Sequence, residues 1–219
     1  MSYNYNDMDI SVISSALKIL QKASARSLAL ALPIRFRVAY SSEEREAVYR
    51  LRYSTAVKQG WARPEDFPDR LEYDDYDEKA LQIVGCNGTV PMATVRMVFP
   101  EPGRLLPTEK IYDLEIEPRG RVIDMGREVV VPVNRRHHIL TALLCFAWDK
   151  IVTHGFTDVC GIISPASLRI HKRIGLKATI LASARRYWGE ERLPVRFEVL
   201  DSAITVAKWV RSICREFGE

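Results

Sequence analysis

The residues best suited to chemistry lie in short runs of like charge. The most compact run is acidic: residues 71 to 80, LEYDDYDEKA, hold five carboxylates within seven positions, although the whole chain has a formal net charge of +4. Such a run usually forms a loop that faces water. The alternative is that part of the run belongs to a polar site, because a carboxylate in the interior must be paired with a cation.

A basic turn follows a predicted strand at residues 127 to 133, REVVVPV. Asn134 is a suitable helix N-cap, but the first helical turn then begins with Arg135 and Arg136. Cations at a helix amino terminus oppose the helix dipole, and such a violation is expected where a bound anion compensates for it. We interpret this turn as a phosphate site, with a solvated basic turn as the alternative.

A second basic segment, SPASLRIHKRIGLK, covers residues 164 to 177. Ser164 as N-cap and Pro165 at the first helical position predict a helix that Gly175 ends. The helix carries three cations, Arg169, Lys172 and Arg173, and Lys177 follows it. Because both basic segments follow strands of one predicted sheet, we expect them to lie on the same rim of that sheet.

Pro132 lies inside an otherwise strong strand pattern. Proline removes a donor from the hydrogen-bond ladder, so it is tolerated where a strand lacks a partner on that side or forms a bulge. We therefore predict that this strand separates from a neighbour near residue 132 and leaves a slot for an extended ligand. An ordinary edge strand is the alternative.

The hydrophobic pattern predicts the elements that position these groups. Helices are predicted at 11–32, 42–58, 135–153, 165–175 and 202–217. Strands are predicted at 34–40, 81–86, 90–99, 127–133, 157–163, 177–184 and 195–200, and Asn87-Gly88 predicts a hairpin. This order makes a mixed α/β (α+β) domain with an antiparallel first half and a βαβ crossover in the second.

Two units are predicted: an N-terminal helical segment, residues 1–33, and a main domain, residues 34–219. The chain of 219 residues, 47% of them apolar, is long enough for such a domain. We expect the first helix to pack on the core; a surface for acyl chains or a membrane is the alternative.

The composition favours a cytoplasmic protein without an integral membrane segment. No apolar run approaches the roughly 18 to 20 residues of a bilayer span, and the polar start, MSYNYNDMDI, is unlike a secretory signal. Residues 1–118 hold 15 basic and 18 acidic residues, a net charge of −3, whereas residues 119–219 hold 17 and 10, a net charge of +7. The second half should therefore attract an anionic partner, which charge alone does not identify.

The cysteines and histidines do not predict a metal site. The four cysteines are far apart and mostly in apolar surroundings, which indicates buried core thiols: Cys86, Cys145, Cys160 and Cys214. The adjacent His137 and His138 point to different faces of a helix and have no third ligand.

Several strings resemble known acyltransferases. The element order and ASLRIHKRIGLK resemble the GCN5-related N-acetyltransferase (GNAT) fold, and VYRLRY, GW, EYDDYD, ATVRM and GREVVV resemble the successive landmarks of acyl-homoserine lactone synthases over residues 46 to 185. The whole string is most similar to the bacterial long-chain N-acyl amino acid synthases, specifically the N-acyl tyrosine synthases. The resemblance implies a mostly antiparallel central sheet with splayed central strands and helices on both faces.

The resemblance also implies site residues and a reaction. The matching positions are Arg52, Trp61, Asp74 and Asp77 for substrate binding, and Arg96, Glu128 and Val130 for catalysis. The reaction implied moves a long-chain acyl group from an acyl carrier protein thioester to the α-amine of an amino acid, tyrosine by likeness. Glu128 is the candidate base, backbone N–H groups around Val129 to Val131 are candidate oxyanion donors, and structural pairing of Glu128 with Arg127 or Arg96 is the alternative.

Within this interpretation, Asp74 and Asp77 pair with Arg52 and Arg96, while the other three acids stay in solvent: Glu72, Asp75 and Glu78. The basic rim binds the carrier protein and its phosphopantetheine phosphate through Arg135, Arg136, Arg169, Lys172 and Arg173, and the acyl-phosphopantetheine is a substrate and not a tightly bound cofactor. Possible walls for the acyl chain are Leu143, Leu144, Phe146 and Trp148, with ordinary core packing as the alternative.

Two departures and three alternatives remain. Val131 stands where acyl-homoserine lactone synthases carry a second arginine, and Ala56 where they carry an aromatic residue, which counts against a lactone product. An acetyl-coenzyme A-dependent N-acetyltransferase is disfavoured because NRRHHIL lacks the glycines that let backbone approach a pyrophosphate. A nucleic-acid-binding module is disfavoured because few aromatic residues accompany the basic ones.

Overall fold

The computed structural model describes residues 10–132 and 136–218 of the chain. Its centre is an eight-stranded sheet in the order β1-β2-β3-β4-β5-β8-β6, with β7 paired to β8. The strands are β1 Arg35–Val38, β2 Leu81–Asn87, β3 Val90–Val98, β4 Val122–Val130, β5 Asp158–Ile163, β6 Lys177–Ile180, β7 Arg185–Tyr187 and β8 Glu190–Glu198. β4 and β5 run parallel, and the other paired strands are antiparallel. The predicted mixed, mostly antiparallel sheet is confirmed.

Helices cover both faces of this sheet, as predicted. They are α1 Ile10–Leu30, α2 Ser42–Lys58, α3 Pro107–Tyr112, α4 Arg136–Thr153, α5 Pro165–Arg173 and α6 Val199–Gly218. Alternate strand residues point to opposite faces. Ile83, Val95 and Ile123 therefore lie in the core under α1, α4 and α6, whereas Val84 packs against α2 and Cys160 lies in the small core next to α3.

Local sequence signals set the ends of the helices beside the site. At α2, Ser41 accepts from the Glu44 amide and the Glu44 carboxylate returns to the Ser41 amide, which forms a capping box. At α5, the Ser164 hydroxyl accepts from the Ser167 amide and Pro165 occupies the first turn. Gly175, at φ +92°, takes the left-handed conformation that ends α5.

Some predicted boundaries were wrong. β4 begins five residues and ends three residues before the predicted strand 127–133, so Pro132 lies beyond its end at Val130. The last long strand is 190–198 and not 195–200, and the short helix α3 lies in a connection where no helix was predicted. Apolar runs alone do not mark where a strand begins, because charged residues such as Asp124 and Arg127 also occupy strand positions here.

The first helix packs on the core, as expected. Leu20 and Ala23 of α1 are buried in the main hydrophobic cluster, together with residues of α4 and α6. The division into residues 1–33 and 34–219 remains a prediction. Across the part of the chain that the structure describes, no helix is both long enough and apolar enough to cross a bilayer.

Candidate active site

The central strands β4 and β5 separate and leave a cleft. They pair only at Val122–Asp124 with Asp158–Cys160, within the described strands. Beyond that point they border an open cleft of about 820 Å³ that also reaches α2, α5 and β8. The opening begins immediately after Asp124, so the predicted splay is present but Pro132 does not cause it. Where the pairing ends, the two strands still approach each other closely: a Cβ on Gly161 would lie 2.5 Å from the Met125 carbonyl oxygen.

A β-bulge in β4 turns the critical side chains to opposite faces of the sheet. Arg96 pairs with Gly126 and Thr94 pairs with Val129, so three steps on β4 oppose two on β3. Arg127 occupies the bulge with a positive φ of 57°. An extra residue reverses the in–out alternation of everything that follows it. Glu128 consequently shares a face with Val130, which lies in the core beneath α4.

A buried network of ion pairs forms one wall of the cleft. Asp77 accepts from Arg52 Nη1 and Nη2 at 2.7 and 3.0 Å and from Arg96 Nη1 at 2.8 Å. Asp74 accepts from Arg96 at 2.6 Å and from Arg127 at 3.2 Å. Glu72 accepts from Arg52 and, at 2.8 Å, from Arg127. Three guanidinium groups thus meet three carboxylates, and the formal charges cancel.

The structure brings the predicted pairs together and corrects the prediction for Glu72. That side chain was expected in solvent, but it is 1% exposed and bridges α2 to the bulge through its two arginines. Asp75 and Glu78 are exposed, as predicted. Of the three network carboxylates, Asp74 is the accessible one, with 35% of its side chain exposed toward the cleft.

The network holds Asp77 in its charged form. Burial by itself would raise the pKa of this carboxyl, but the hydrogen bonds from Arg52 and the charges of Arg52 and Arg96 lower the pKa from 3.8 to about 2. The Gln82 side chain and the Asp74 amide add hydrogen bonds at 2.7 and 2.8 Å. Asp77 is therefore saturated by donors and is a structural centre of the site.

Glu128 lies in the cleft with a histidine as its partner. Its Oε2 atom is 4.0 Å from Nε2 of His171 on α5, and its side chain is 30% exposed. The alternative prediction, pairing with Arg127 or Arg96, is wrong, because both arginines bind the carboxylates of the network. Glu128 is thus an accessible carboxylate that no arginine neutralises among the described residues.

The backbone of β4 turns the Val130 amide toward the cleft. The Val131 N–H donates to Met92 O at 2.9 Å, so it is not available as an oxyanion donor. In an antiparallel ladder, bonded and non-bonded pairs alternate, and the register Val130 to Ala93 makes that pair non-bonded. The Val130 N–H therefore points away from β3, toward the side from which β5 has separated.

Aromatic rings and two arginines form the outer wall of the cleft. The Arg127 guanidinium lies 4.4 Å from the centre of the Trp188 ring, and the Arg192 guanidinium lies 4.9 Å from that of Trp61. Burial lowers the pKa of Arg192, and its ion pair with Glu190, at 2.7 Å, offsets part of that effect. The predicted substrate-binding residue Trp61 is thus placed in the cleft.

The inner end of the cleft offers no activated thiol. Cys160 is fully buried, and burial together with the nearby Asp124 raises the pKa of its thiol well above the ordinary value. Burial also raises the pKa of Asp124, although its carboxylate accepts from the Thr108 amide at 2.6 Å. A cysteine nucleophile needs a depressed pKa, so this site does not support covalent thiol catalysis. Cys86 and Cys145 are buried as well, while the Cys214 side chain lies outside the described residues.

A small apolar cavity of about 50 Å³ adjoins the cleft. The two share Met125, Val159, His171 and Phe197 in their linings. Of the four residues predicted as walls for an acyl chain, Leu144 and Trp148 line this cavity. Leu143 is buried in the main core, and Phe146 packs on Phe36.

The basic rim is present in part. Arg169, Lys172 and Arg173 are exposed on α5 and form no ion pair with any described residue. Lys177 does not belong to this rim, because its ammonium binds Glu198 and Asp201 at 3.0 and 3.2 Å. Asn134 and Arg135, like the side chains of Arg136 and His137, lie outside the described residues. Among the residues described, no group of three or more histidine, cysteine or acidic side chains is arranged to hold a metal ion.

Three site residues were missed from the sequence: Glu72, Arg127 and His171. Glu72 belongs to the acidic run and Arg127 directly precedes Glu128. The sequence therefore shows that both are charged, but it does not show that they are buried. His171 lies in α5 between two exposed cations, Arg169 and Lys172. Its spacing of three from Leu168, the other buried residue of α5, places it on the inner face of the helix.

Comparison with known proteins agrees with this architecture. A family model described as N-acyl amino acid synthase FeeM matches residues 47–191. The structure of FeeM, an N-acyl amino acid synthase from uncultured soil microbes, aligns at a TM-score of 0.64 with 18% identity, over 80% of this chain and 97% of that chain. No curated protein sequence gives a significant match.

Two acyl-homoserine lactone synthases are also similar in structure. LasI aligns at a TM-score of 0.63 with 11% identity, over 76% of this chain and 90% of that chain. BjaI, a CoA-dependent synthase solved with SAM and isopentyl-CoA, aligns at 0.64 with 18% identity, over 80% and 86% of the two chains. At these identities the likeness shows the fold, which is GNAT-like as predicted.

Proposed function

This chain belongs to the N-acyl amino acid synthase FeeM family and is an N-acyltransferase, and from that premise we propose its substrates and mechanism. The donor is a long-chain acyl thioester of acyl carrier protein, and the acceptor is the α-amine of a free amino acid, tyrosine. The observation that carries this proposal is the opening between β4 and β5, which gives an extended thioester access to both Glu128 and the Val130 N–H.

The chemistry requires a base and an oxyanion donor, and no protein nucleophile. The acceptor ammonium loses one proton, and the amine nitrogen then attacks the thioester carbonyl and forms a C–N bond. The carbonyl oxygen becomes an oxyanion that the Val130 N–H can stabilise. The C–S bond then breaks and the nitrogen loses a second proton, so that an amide forms. The thiolate takes up one of the two protons lost by the ammonium, the other passes to solvent, and an amide and a thiol are the products.

Glu128 takes the first proton in this proposal, directly or through a water molecule. Its carboxylate is accessible and is not bound by an arginine, unlike Asp77 in the network. The neutral network does not attract an ammonium by net charge. Asp74, its accessible member, is the carboxylate that can accept a hydrogen bond from the acceptor. Arg52, Arg96 and Asp77 act by holding Asp74 and the bulge in place.

The acceptor assignment combines the family resemblance with the wall of the cleft. Trp61 and Trp188 present aromatic surface beside arginine guanidinium groups. Aromatic rings pack on one another in offset-stacked or edge-to-face contacts, which these two rings can offer to a substrate ring. A tyrosine ring is therefore proposed to lie along this wall, with its amine toward Asp74 and Glu128.

The donor assignment depends on the exposed α5 rim. Arg169, Lys172 and Arg173 are exposed cations that form no ion pair with the residues the structure describes, and they suit the acidic surface of a carrier protein and its phosphodiester. The acyl chain is proposed to extend from the cleft toward the apolar cavity lined by Leu144 and Trp148. The fit of a chain longer than this small cavity requires the surrounding side chains to move apart.

The test is a transfer assay on the purified protein. Acyl carrier protein and coenzyme A thioesters of several chain lengths are incubated with each amino acid, and the products are identified by mass spectrometry. We expect N-acyl tyrosine from long-chain carrier protein thioesters, and a rate at least about 10²-fold lower for Glu128→Gln. Glu191→Gln, on the exposed part of β8, is the matched control and should retain the native rate.

Three results would contradict parts of the proposal. A native rate in Glu128→Gln at every pH would remove the base assignment. Consumption of S-adenosylmethionine with a lactone product would replace the acceptor. Saturable turnover of acetyl-coenzyme A, with no product from long-chain carrier protein thioesters, would replace the donor.

A further inference from the structure

His171 has a defined tautomer in this structure. Its Nδ1 atom lies 2.8 Å from the carbonyl oxygen of Ser167, one helical turn earlier. A carbonyl oxygen only accepts hydrogen bonds, so Nδ1 carries the proton of the neutral ring and Nε2 keeps its lone pair. The ring is held in this orientation by Phe197, whose ring centre is 5.3 Å away.

The lone pair of Nε2 faces the candidate base. Nε2 and Glu128 Oε2 are 4.0 Å apart, and both side chains line the cleft. This distance exceeds that of a direct hydrogen bond and is short enough for a small side-chain rotation or one water molecule to connect the atoms. Only 7% of the His171 side chain is exposed, against 30% for Glu128, so Glu128 is the more accessible of the two groups.

We infer that His171 is a positioning residue that relays a proton for Glu128. The inference rests on the proposed function, because it concerns the proton that the acceptor ammonium must lose. The neutral ring keeps a lone pair on Nε2, which gives a proton on Glu128 an acceptor within reach. When that proton moves to Nε2, Glu128 is restored as a carboxylate.

The relay balances charge and hydrogen bonds at each stage. After transfer, the imidazolium donates from Nδ1 to Ser167 O and from Nε2 to Glu128, so both N–H groups have acceptors. When the C–S bond of the thioester breaks, the stored proton can return through Glu128 to the departing thiolate. The first ammonium proton thus ends on the thiol product, and His171 returns to its neutral form. The second proton, which the nitrogen loses as the amide forms, passes to solvent.

Few other charges face the ring. On the cleft side, Glu128 of β4 lies 4.0 Å from the ring. Asp124 and the Cys160 thiol also line the cleft, but they contact each other at 3.6 Å. On the opposite side, the lining of the apolar cavity from α1, α4 and α6 holds no charged side chain among the described residues, and Cys145 is its titratable member. Lys172, next in α5, points to solvent. Glu128 is therefore the group that decides where a proton on Nε2 can go.

The chain offers a matched control for a substitution at His171. His154, directly after α4, also places Nδ1 beside the carbonyl four residues earlier, at 2.7 Å from Lys150 O, and its ring also packs on a phenylalanine, Phe99. It is exposed and lies outside the cleft lining. Asparagine keeps a donor near the Nδ1 position in both cases and removes Nε2.

The experiment measures kcat/KM against pH for the native enzyme, His171→Asn and His154→Asn. We expect His171→Asn to lose about 10²-fold at pH 7, and to regain activity as pH rises because acceptor already deprotonated in water needs no relay. His154→Asn should keep the native profile. A deficit in His171→Asn that is the same at every pH, or no deficit, would overturn the relay.

A second measurement does not depend on activity. A nitrogen–proton correlation spectrum of the native protein with labelled histidine, recorded above pH 8, reports which ring nitrogen carries the proton. We expect Nδ1 for His171, assigned by the loss of its signals in His171→Asn. An Nε2-protonated ring would overturn the relay whatever the reaction is. Failure of the native enzyme to acylate any amino acid would instead contradict the proposed function, and the tautomer would then decide the relay.

Discussion

The substitution Asp77→Asn tests whether the buried network stabilises the fold. Asp77 receives three hydrogen bonds from two buried arginines, and the network is neutral because three carboxylates balance three guanidinium groups. Asparagine has nearly the same shape, but it leaves one uncompensated buried positive charge and points an amide NH₂ at guanidinium donors. Removing one partner of a buried ion pair costs about 3 to 5 kcal/mol.

The pKa of Asp77 gives a second value for the free energy by which this carboxylate stabilises the fold. A fall from 3.8 in the unfolded chain to about 2 in the folded protein corresponds to about 2 kcal/mol at neutral pH. Since the folded pKa is the lower one, this stabilisation is present above pH 4 and is lost as pH falls toward 2. We therefore expect Asp77→Asn to lower the free energy of unfolding by at least about 2 kcal/mol at pH 7, and this deficit to shrink below pH 4.

Urea unfolding at a series of pH values measures both effects, with circular dichroism as the signal. Asp75→Asn is the matched control, because Asp75 is exposed in the same acidic run and should change the unfolding free energy by less than about 0.5 kcal/mol. If Asp77→Asn unfolded at the same urea concentration as Asp75→Asn at pH 7, the network would not have the stabilising role argued from its geometry.

Three further predictions concern the cleft and its rim. Gly161→Ala should lower the free energy of unfolding by about 1 to 3 kcal/mol, because its Cβ would lie 2.5 Å from a β4 carbonyl oxygen. Gly126→Ala is the control, because its Cβ would lie no closer than 3.9 Å to any atom. Equal urea midpoints for the two variants would show that the strands do not approach so closely. Arg169→Glu should raise the KM for carrier protein thioesters and weaken its dependence on salt, while Lys18→Glu on α1 should not; an unchanged KM in both would remove this rim as the docking surface. Leu144→Trp should fill the apolar cavity and shift product masses toward shorter acyl chains, and an unaltered product ladder would place the chain elsewhere.

Local signals in the sequence were sufficient for most elements of the fold. The cap at Ser41, the cap and proline at Ser164 and Pro165, and the strand-forming runs around Asn87-Gly88 act over a few residues, so they are readable without the tertiary structure. The pairing of the acidic run with Arg52 and Arg96 followed from the resemblance together with the cost of burying a carboxylate unpaired. The short helix α3 was not predicted, because six residues carry too little periodicity.

Whether a charged residue belongs to the site depends on whether it is buried, and the burial of a single residue cannot be read from the sequence. Glu72 and Asp75 are both acids of one run, yet the first is buried between two arginines and the second faces water. His171 and His154 both bond a carbonyl one turn back, yet His171 alone of these two lies in the cleft beside a carboxylate.

The sequence by itself determined the mixed sheet, the helix ends and the set of charged residues available for a site. Only the tertiary structure determined which side chains of GREVV, residues 126–130, face the cleft. A regular strand would place Arg127 and Glu128 by simple alternation, but the bulge at Arg127 adds one residue and reverses that alternation. Arg127 therefore reaches the network beside α2, while Glu128 turns to the opposite face and meets His171. Such a bulge depends on the partner strand and on the groups that hold Arg127, which lie far away in the sequence.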